Sequence, residues 1–588
     1  MLKMLFGKRE AGDIFAEEQI QGPWKTVMKT FFSNRINVIS LAVFLLIAIA
    51  MVVYPLFYPV VLSDEETTQQ DMAPSRDMMK IPQGEYQSIS QGRSFGFGLT
   101  TSGKINSWGN AKIGKLNLAD VPAEIKEADL VELSVGLDHV LALDSEGRVL
   151  AWGNNRLKQT AIPNDVAKLT GIRQAVAGMQ MNAIVTADNE VKIWGNINSF
   201  DFKGNSEHQG NIDKIALGSD MIYALTLDGN IVYMGRQKES AGTRPPVGDN
   251  FIDLAATAKS FAGITEDGQV ITWGNRTHRG EGKVPEEIEG KPVAITSGRY
   301  HYNLLMEDGT VQAFGYNNLR QATVPRNLSG VKEVFAGYYQ NYAVKEDGSV
   351  VTWGHKGYIM GTDEFGRDLW TRLMNGGRMT LTIGAVAVLI STVIGIVVGG
   401  VSGYFGGTID LVLQRISEMI SSLPFLPFAM ILNALIGNAM TANQRIYLMM
   451  IILGVLSWTG LQRLVRAQVL SLREQEFVVA ARSVGVKEAS IVFRHIIPNV
   501  ISVIIVNTTL SFASSMLTES SLSFLGFGVK PPIPTWGNML HGANNSIIIQ
   551  NYWWRWVFPS IALSITVIAI NLIGDGLRDA IDPRSQDR

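Results

Sequence analysis

Long stretches without a charged side chain mark both ends of this 588-residue chain. Residues 36–63 contain no Asp, Glu, Lys or Arg, and similar apolar stretches follow residue 377. About 20 apolar residues cross the roughly 30 Å hydrocarbon layer of a bilayer, so stretches of this length predict transmembrane helices. We expect six, at residues 36–63, 379–404, 416–436, 447–461, 496–518 and 556–573. A single soluble enzyme domain is thereby excluded.

The first stretch could instead be a cleaved secretory signal. However, 35 residues with six Lys or Arg precede it, and it lacks a small-residue cleavage site. Both features favour a retained membrane anchor.

Basic residues predict the orientation in the membrane. The loop 461–498 and the C-terminal tail are rich in Arg and Lys, whereas the loops near 437–446 and 522–552 carry one basic residue each. Basic loops stay in the cytoplasm. We therefore expect a multi-pass protein of the cytoplasmic membrane, embedded in its lipid bilayer, with segment 1–35 and the C-terminus inside the cell. The same rule places residues 64–376 outside.

A repeat of about 40 residues fills the middle of the chain. Each unit has an apolar strand, a turn such as Asp-Gly, a second strand and a closing aromatic-Gly or Met-Gly pair. The closing glycines are Gly109, Gly153, Gly195, Gly235, Gly274, Gly315 and Gly354. Asp-Gly between short strands is a strong hairpin signal, and repeats of this length are typical of propeller blades. We expect a seven-bladed all-β propeller over 84–354, between linkers at 64–83 and 355–376.

These units resemble the repeats of the regulator of chromosome condensation family, as in Val135-Gly136-x-x-His139 followed by Trp152-Gly153. His139 and His301 occupy equivalent repeat positions, so we interpret both as structural. The resemblance implies a fold and no particular activity. A rigid rim of loops would suit docking of a binding protein, a substrate or another partner.

Composition excludes several classes of site. The chain has no cysteine, which rules out disulfides, iron–sulfur clusters and thiolate zinc sites. Lys and Arg number 51 against 53 Asp and Glu, so no overall basicity suggests a nucleic-acid partner. Residues 109–115 match the first part of a phosphate-loop motif. Leu116, however, replaces the hydroxyl residue that would hold magnesium. We expect no catalytic residue, metal or cofactor in this chain.

The basic loop 461–498 contains a short helix pattern. Residues 476–483 are good helix formers, Gly485 follows where a C-terminal cap is expected, and Pro498 stands at the start of the next apolar stretch. Ala480 and Ala481 would present a small surface on which another protein could pack closely. An amphipathic helix lying on the membrane surface is the alternative.

This loop resembles the cytoplasmic signature of the permease subunits of ATP-binding cassette importers for dipeptides and oligopeptides. Ala480, Ala481, Gly485 and Pro498 match that signature, while Val479 replaces its Glu. Arg482 and His495 are typical of the peptide subgroup. Further matches lie at residues 361–368, 403–410, 423–425, 522–538 and 571–584. Together the resemblance covers about 25–62 and 361–588, so the propeller is an insertion.

The resemblance implies a permease fold of six transmembrane helices, with its core at 377–588. It implies that the chain couples to two separate ATP-binding subunits, which hold ATP and Mg. The coupling residues would be Glu476, Ala480, Ala481, Arg482, Gly485, His495 and Pro498. It further implies a sister permease in a heterodimer and an external substrate-binding protein that delivers peptide.

Two acidic residues fall within or near the predicted spans. Glu418 and Glu519 could line a translocation path, because a charge in a membrane is costly and often functional. Alternatively, both lie near span ends and are solvated. Two other functions also stay open: transport of another solute, such as a nickel chelate or a sugar, and a membrane-anchored propeller acting as a receptor or adhesion protein.

Overall fold

The computed structural model describes residues 23–62, 65–113, 115–197, 208–219, 221–234, 244, 247–248, 250–275, 278–437 and 440–581. Lys3, Lys8 and Arg9, the repeat glycine Gly235 and the basic tail 582–588 lie outside these residues. The chain forms two compact units. A helical unit contains the described residues up to Glu65 and from Arg367 onward, and a β unit contains Glu66–Gly366.

The helical unit buries small and polar side chains and exposes large apolar ones. Ser402 and Thr380 are fully buried, whereas Leu46, Leu389 and Ile568 are more than half exposed, as lipid-facing helices require. Its helices are α1 (Pro23–Ser33), α2 (Arg35–Phe57), α3 (Leu369–Phe405), α4 (Gly407–Ser422), α5 (Phe425–Gly437), α6 (Ala442–Ser457), α7 (Thr459–Leu472), α8 (Glu476–Ser483), α9 (Glu488–Ser490), α10 (Ile497–Phe524), α11 (Trp536–Met539), α12 (Ser546–Asn551) and α13 (Trp554–Ile581), with a π-helical turn at Ile491–Ile496 and a 3-10 turn at His541–Asn544.

Within the described ranges, five helical stretches are long and apolar enough to cross a membrane. They are Arg35–Phe57, Leu369–Phe405, Ala442–Leu472, Glu488–Phe524 and Trp554–Ile581. The predicted stretch 416–436 is instead a bent pair, in which α4 and Phe425–Leu432 meet at 82°. Pro424 explains the break, because proline lacks an N–H and forces the preceding Leu423 into an extended conformation.

The span predicted at 447–461 continues as helix into the basic loop. α6 and α7 are consecutive, and α7 runs on to Leu472. Leu461, Val465 and Val469 recur every four residues along α7 and are buried, so an apolar face holds this segment against the core. The loop predicted from residue 461 therefore begins inside a helix.

Glycines allow α3 and α7 to pack very closely. A Cβ atom at Gly399 would lie 2.7 Å from the carbonyl oxygen of Gln462, and one at Gly403 would lie 2.8 Å from that of Arg466. Small residues four apart permit this backbone approach between membrane helices. A side chain at either position would push the two helices apart.

The described part of the β unit contains seven three-stranded antiparallel sheets, each with its strands in chain order. The strands are β1 (Tyr86–Gln91), β2 (Phe95–Thr100), β3 (Ile105–Gly109); β6 (Leu130–Val135), β7 (His139–Asp144), β8 (Val149–Gly153); β9 (Gln174–Ala177), β10 (Met181–Val185), β11 (Val191–Gly195); β12 (Ile212–Leu217), β13 (Ile222–Thr226), β14 (Ile231–Tyr233); β15 (Phe251–Ala256), β16 (Ser260–Thr265), β17 (Val270–Gly274); β18 (Pro292–Ser297), β19 (His301–Met306), β20 (Val311–Gly315); and β21 (Val331–Ala336), β22 (Gln340–Lys345), β23 (Val350–Gly354). A hairpin, β4 (Lys112–Ile113) and β5 (Leu116–Asn117), and one-turn helices at Thr67–Gln69, Ala123–Lys126 and His278–Gly280 complete the described part of this unit.

The repeated aromatic-Gly pair has a packing role. Gly195 and Gly315 adopt φ of +100° and +105°, and a Cβ atom on either would lie 2.8 Å from a backbone carbonyl oxygen. Only glycine tolerates both conditions. The aromatic residues before these glycines, Trp194 and Phe314, are buried, as is Trp353 of the last sheet. Trp194 and Trp353 donate their ring N–H to the backbone carbonyls of Gln159 and Gln321.

Polar side chains link each sheet to the next. His139 and His301 are fully buried and hydrogen-bond Asn182 and Asn341 of the following sheets at 2.6 and 2.7 Å, in agreement with a structural role. The first strand of each sheet packs beside that of the next, and β21 packs beside β1.

A buried glutamate, Glu281, takes the place that a buried glutamine has in two other repeats. Gln159 and Gln321 are fully buried, and each side-chain oxygen accepts a hydrogen bond from the N–H two residues earlier. Glu281 is equally buried in the corresponding loop after β17. Burial raises the pKa of Glu281 from the usual 4.5 to about 8, against the opposing effects of Thr257 and Arg299.

We expect Glu281→Gln to stabilise the β unit at pH 8 and to change nothing below pH 4. The folded wild type holds a proton that the unfolded chain has already lost between about pH 4.5 and 8, so its stability falls as pH rises through that window. The gain at pH 8 is on the order of 3 kcal/mol. Thermal unfolding against pH measures it. Gln321→Glu is the converse control and should introduce the same pH dependence. A pH-independent difference would contradict the prediction.

Candidate coupling site

A short helix with a glycine cap forms the centre of the candidate site. α8 spans the predicted helix, and the residues after it form a Schellman cap. The Gly485 N–H donates to the Arg482 carbonyl at 3.0 Å, and the Val486 N–H donates to the Ala481 carbonyl at 3.1 Å. The φ of Gly485 is +79°, which confirms the predicted cap.

One face of α8 is attached to the helical unit and the other is exposed. Val478 is fully buried, and Ala481 packs against the same apolar cluster, which includes Val465 and Ile491. The opposite side is apolar and open to its surroundings. We define the open face of α8 as Phe477, Val479, Ala480 and Val484, of which Val484 is 84% exposed.

The residues predicted for coupling lie in different surroundings and on different elements. Ala480 lies on the open face, whereas Ala481 is turned toward the helical unit's own core. Glu476 is exposed in the first turn of α8, where a negative charge complements the helix dipole. His495 and Pro498 are also exposed, but they lie in the π-helical turn and at the start of α10.

The remaining coupling residue, Arg482, contacts the end of α3. Its guanidinium lies 5.5 Å from the centre of the Tyr404 ring, and its Nη2 donates to the Tyr404 hydroxyl at 3.4 Å. The attraction between the cation and the ring face holds this exposed side chain against the end of α3. The sequence resemblance included Tyr404 only as part of a motif, so its pairing with Arg482 was not predicted.

An ion pair between α4 and α7 lies near this contact. Asp410 accepts hydrogen bonds from Arg466 through Nε at 2.6 Å and through Nη2, and from the Ser402 hydroxyl. Arg466 is one of the basic residues of the loop 461–498, and its partner was not predicted. The position of Asp410 between two apolar stretches could have indicated that this carboxylate has a basic partner.

The two candidate path residues occupy different environments. Glu418 is exposed and pairs with Arg415 one turn away at 2.7 Å. Glu519 is fully buried in α10 and accepts a hydrogen bond from the Ser523 hydroxyl at 2.7 Å. A role in a translocation path stays a prediction for both. Among the residues that the structure describes, no group of three or more His, Asp or Glu could hold a metal ion.

Comparison with known proteins identifies the helical unit. Residues 391–587 match the family model of the binding-protein-dependent transport system inner membrane component, and residues 22–75 match the N-terminal TM domain of oligopeptide transport permease C. The chain is 42% identical over 230 residues to the oligopeptide transport system permease protein OppC of Escherichia coli K12. The aligned region covers 39% of this chain and 74% of that protein. This chain belongs to the family of peptide transport permeases. The permease is also 40% identical over 226 residues to the dipeptide transport system permease protein DppC of Bacillus subtilis, covering 38% of this chain and 68% of that protein.

The β unit is an insertion in this permease. Residues 130–159 match the regulator of chromosome condensation repeat, and they lie between the two permease matches. Among solved structures, the permease resembles the CRINKLY WD40 ectodomain of the Arabidopsis thaliana receptor kinase ACR4. The identity is 19% and the TM-score 0.35, over 46% of this chain and 95% of that one.

Proposed function

We propose that this permease forms the translocation path for peptides in an ATP-binding cassette importer driven by separate ATPase subunits. The open face of α8 carries the proposal, since an exposed apolar surface on a rigidly capped helix suits insertion into a groove of another protein. ATP-driven closure of the ATPases would displace α8, while Val478 and Ala481 fix it to the helical unit.

The family supports a substrate class and a set of partners. The relatives are named for transport of dipeptides and oligopeptides, which supports peptide as the substrate class. We infer that two ATPase subunits bind ATP and Mg, that a sister permease completes the path, and that an external binding protein delivers the peptide. The permease itself would carry out no chemical step.

We further infer six spans with both termini in the cytoplasm. The bent pair of α4 and α5 would supply the sixth span. Arg463, Arg466 and Arg473 lie on or next to α7, at the end of the chain segment that leads to α8, and this supports a cytoplasmic position for the coupling site.

The inserted unit would be a closed, seven-bladed propeller on the external side. The packing of β21 beside β1 supports closure, as does the hydrogen bond from the Trp108 ring N–H to the Tyr342 hydroxyl at 3.0 Å, which joins the first sheet to the last. A closed ring of blades leaves only short, protected sheet edges. We infer that its loops dock the peptide-binding protein.

Purification of the assembled transporter from its membrane tests this function. We expect the full chain to co-purify with a sister permease and ATPase subunits, and the reconstituted assembly to take up a labelled peptide only with ATP. Val479→Asp should lower ATPase recovery at least tenfold, because it places a charge on the open face. Val293→Asp is the matched control, since Val293 is a similarly exposed valine in the β unit.

Two results would contradict the proposal. One is a chain purified without any ATPase that still binds an external ligand, which would favour a membrane-anchored receptor. The other is equal ATPase recovery with Val479→Asp and Val293→Asp, which would remove α8 from the contact.

A further inference from the structure

The motif at residues 403–410 forms the corner between α3 and α4. α3 ends at Phe405, and α4 begins two residues later. Three arginines of the predicted coupling loop converge on this corner although they are more than 50 residues away in sequence. They are Arg466, which binds Asp410, Arg473, whose Nη1 lies 3.5 Å from the Gly403 carbonyl oxygen, and Arg482, which contacts Tyr404.

Asp410 and Arg466 hold α4 and α7 together. The side chains are 16% and 30% exposed, so the pair is largely shielded from water, and its two-point geometry fixes the relative orientation of the helices. Two further polar contacts run along the same interface. Ser417 donates to the Gln462 side-chain oxygen at 3.1 Å, and Arg463 donates to the Ser421 hydroxyl at 2.9 Å. α4 is therefore tied to α7 along most of its length.

α8 is joined to α7 on one side and to the end of α3 on the other. Only three residues separate it from the end of α7, and the Gln475 N–H donates to the Leu472 carbonyl at 3.1 Å in that turn. On its other side Arg482 covers Tyr404 at the end of α3. A displacement of α8 thus reaches α7 through the chain and through the packing of Val478 and Ala481 with Val465. It reaches α3 through Arg482.

α4 leads into its bend with α5, the one bent pair in the described ranges that is apolar enough to form a single span. The break at Leu423 and Pro424 lacks one backbone hydrogen bond, so it can absorb a change of angle without breaking a regular helix. A movement of α4 alters this bend.

We propose that Tyr404, Asp410 and Arg466 form a joint that transmits the displacement of α8 to the bend between α4 and α5. These three are positioning residues, and the inference rests on the proposed coupling role of α8. Breaking the joint leaves the ATPase-binding face of α8 in place. Loss of the joint uncouples ATP hydrolysis from peptide movement.

Charge reversal in the reconstituted assembly tests the joint. Asp410→Arg and Arg466→Asp each place like charges together, and the double variant restores an opposite pair. We expect each single variant to keep ATPase binding and ATP hydrolysis within about threefold of wild type, while peptide uptake per ATP hydrolysed falls at least tenfold. We expect the double variant to recover most of that ratio.

Tyr404 provides a second test that does not alter charge. Tyr404→Phe keeps the ring under Arg482 and should keep at least half of the uptake per ATP, whereas Tyr404→Leu removes the ring and should lose most of it. Equal ratios for Phe and Leu would overturn the role of Tyr404.

A different result is expected if Asp410 and Arg466 only stabilise the fold. The single variants would then lower the amount of folded chain while the protein that remains keeps a normal uptake per ATP, and this result overturns the joint. Failure of the proposed function is distinguishable, since the wild-type assembly itself would then show no ATP-dependent uptake.

Discussion

We expect Gly485→Trp to reduce ATP-driven peptide uptake to background while the chain still inserts into the membrane. Gly485 adopts a φ of +79°, and among the described residues no heavy atom beyond its chain neighbours lies within 4 Å of the position that its Cβ would occupy. A side chain at this position therefore starts in open space. It projects from the end of α8 beside the highly exposed Val484, where the ATPase subunit is proposed to pack.

Backbone strain must be separated from bulk in this experiment. A left-handed conformation costs a residue other than glycine about 1–2 kcal/mol. Gly485→Ala introduces that strain without the bulk and should keep most of the uptake. Gly103→Trp is the matched control elsewhere, because Gly103 has a φ of +80° and equally open surroundings in the β unit.

Uptake, ATP hydrolysis and co-purification of ATPase subunits are the measurements. We expect Gly485→Trp to lose all three and Gly103→Trp to retain them. Normal ATP-dependent uptake by an inserted Gly485→Trp permease would contradict the coupling assignment.

The second large effect concerns removal of the β unit. We expect a permease that lacks residues 66–366 to insert and to bind its ATPase subunits, but to lose at least nine-tenths of its peptide uptake, because the proposed docking surface for the binding protein is gone. The deletion is geometrically simple. The Glu66 N–H donates to the Phe365 carbonyl at 2.9 Å, so the two cut ends lie side by side and a short Gly-Ser linker joins them.

A narrower deletion of residues 84–354 provides the comparison. It would leave Met72, Met78 and Tyr358, which are buried together, without the rest of the unit around them. We expect this variant to aggregate or to be degraded, because it exposes an apolar cluster. Uptake at the full-length level by the 66–366 deletion would show that transport does not need the β unit.

Much of the fold could be predicted because its signals are local. The five long apolar stretches coincide with helices, since the length of such a stretch against the bilayer thickness decides a span without reference to other residues. The repeat of about 40 residues predicted the sheets for a similar reason, because each turn and aromatic-Gly pair specifies its own hairpin. The cap at Gly485 depends only on a helix end and a positive φ.

Other features were decided by contacts between distant residues. The sequence placed Ala480 and Ala481 together as one small surface, yet the helical phase of α8 against its own core turns only Ala481 inward. The bend within the predicted stretch 416–436 and the extension of helix through Leu472 likewise depend on packing.

The sequence by itself determined the membrane class of this protein, its inserted repeats and its family, because hydrophobic length, periodicity and motif order are properties of the chain alone. Only the tertiary structure decided that Asp410 meets Arg466, that Arg482 covers Tyr404 and that Glu519 is buried. The partner of a charge is set by which helices pack side by side. That choice depends on the shapes of whole faces, such as the glycine-lined contact of α3 with α7.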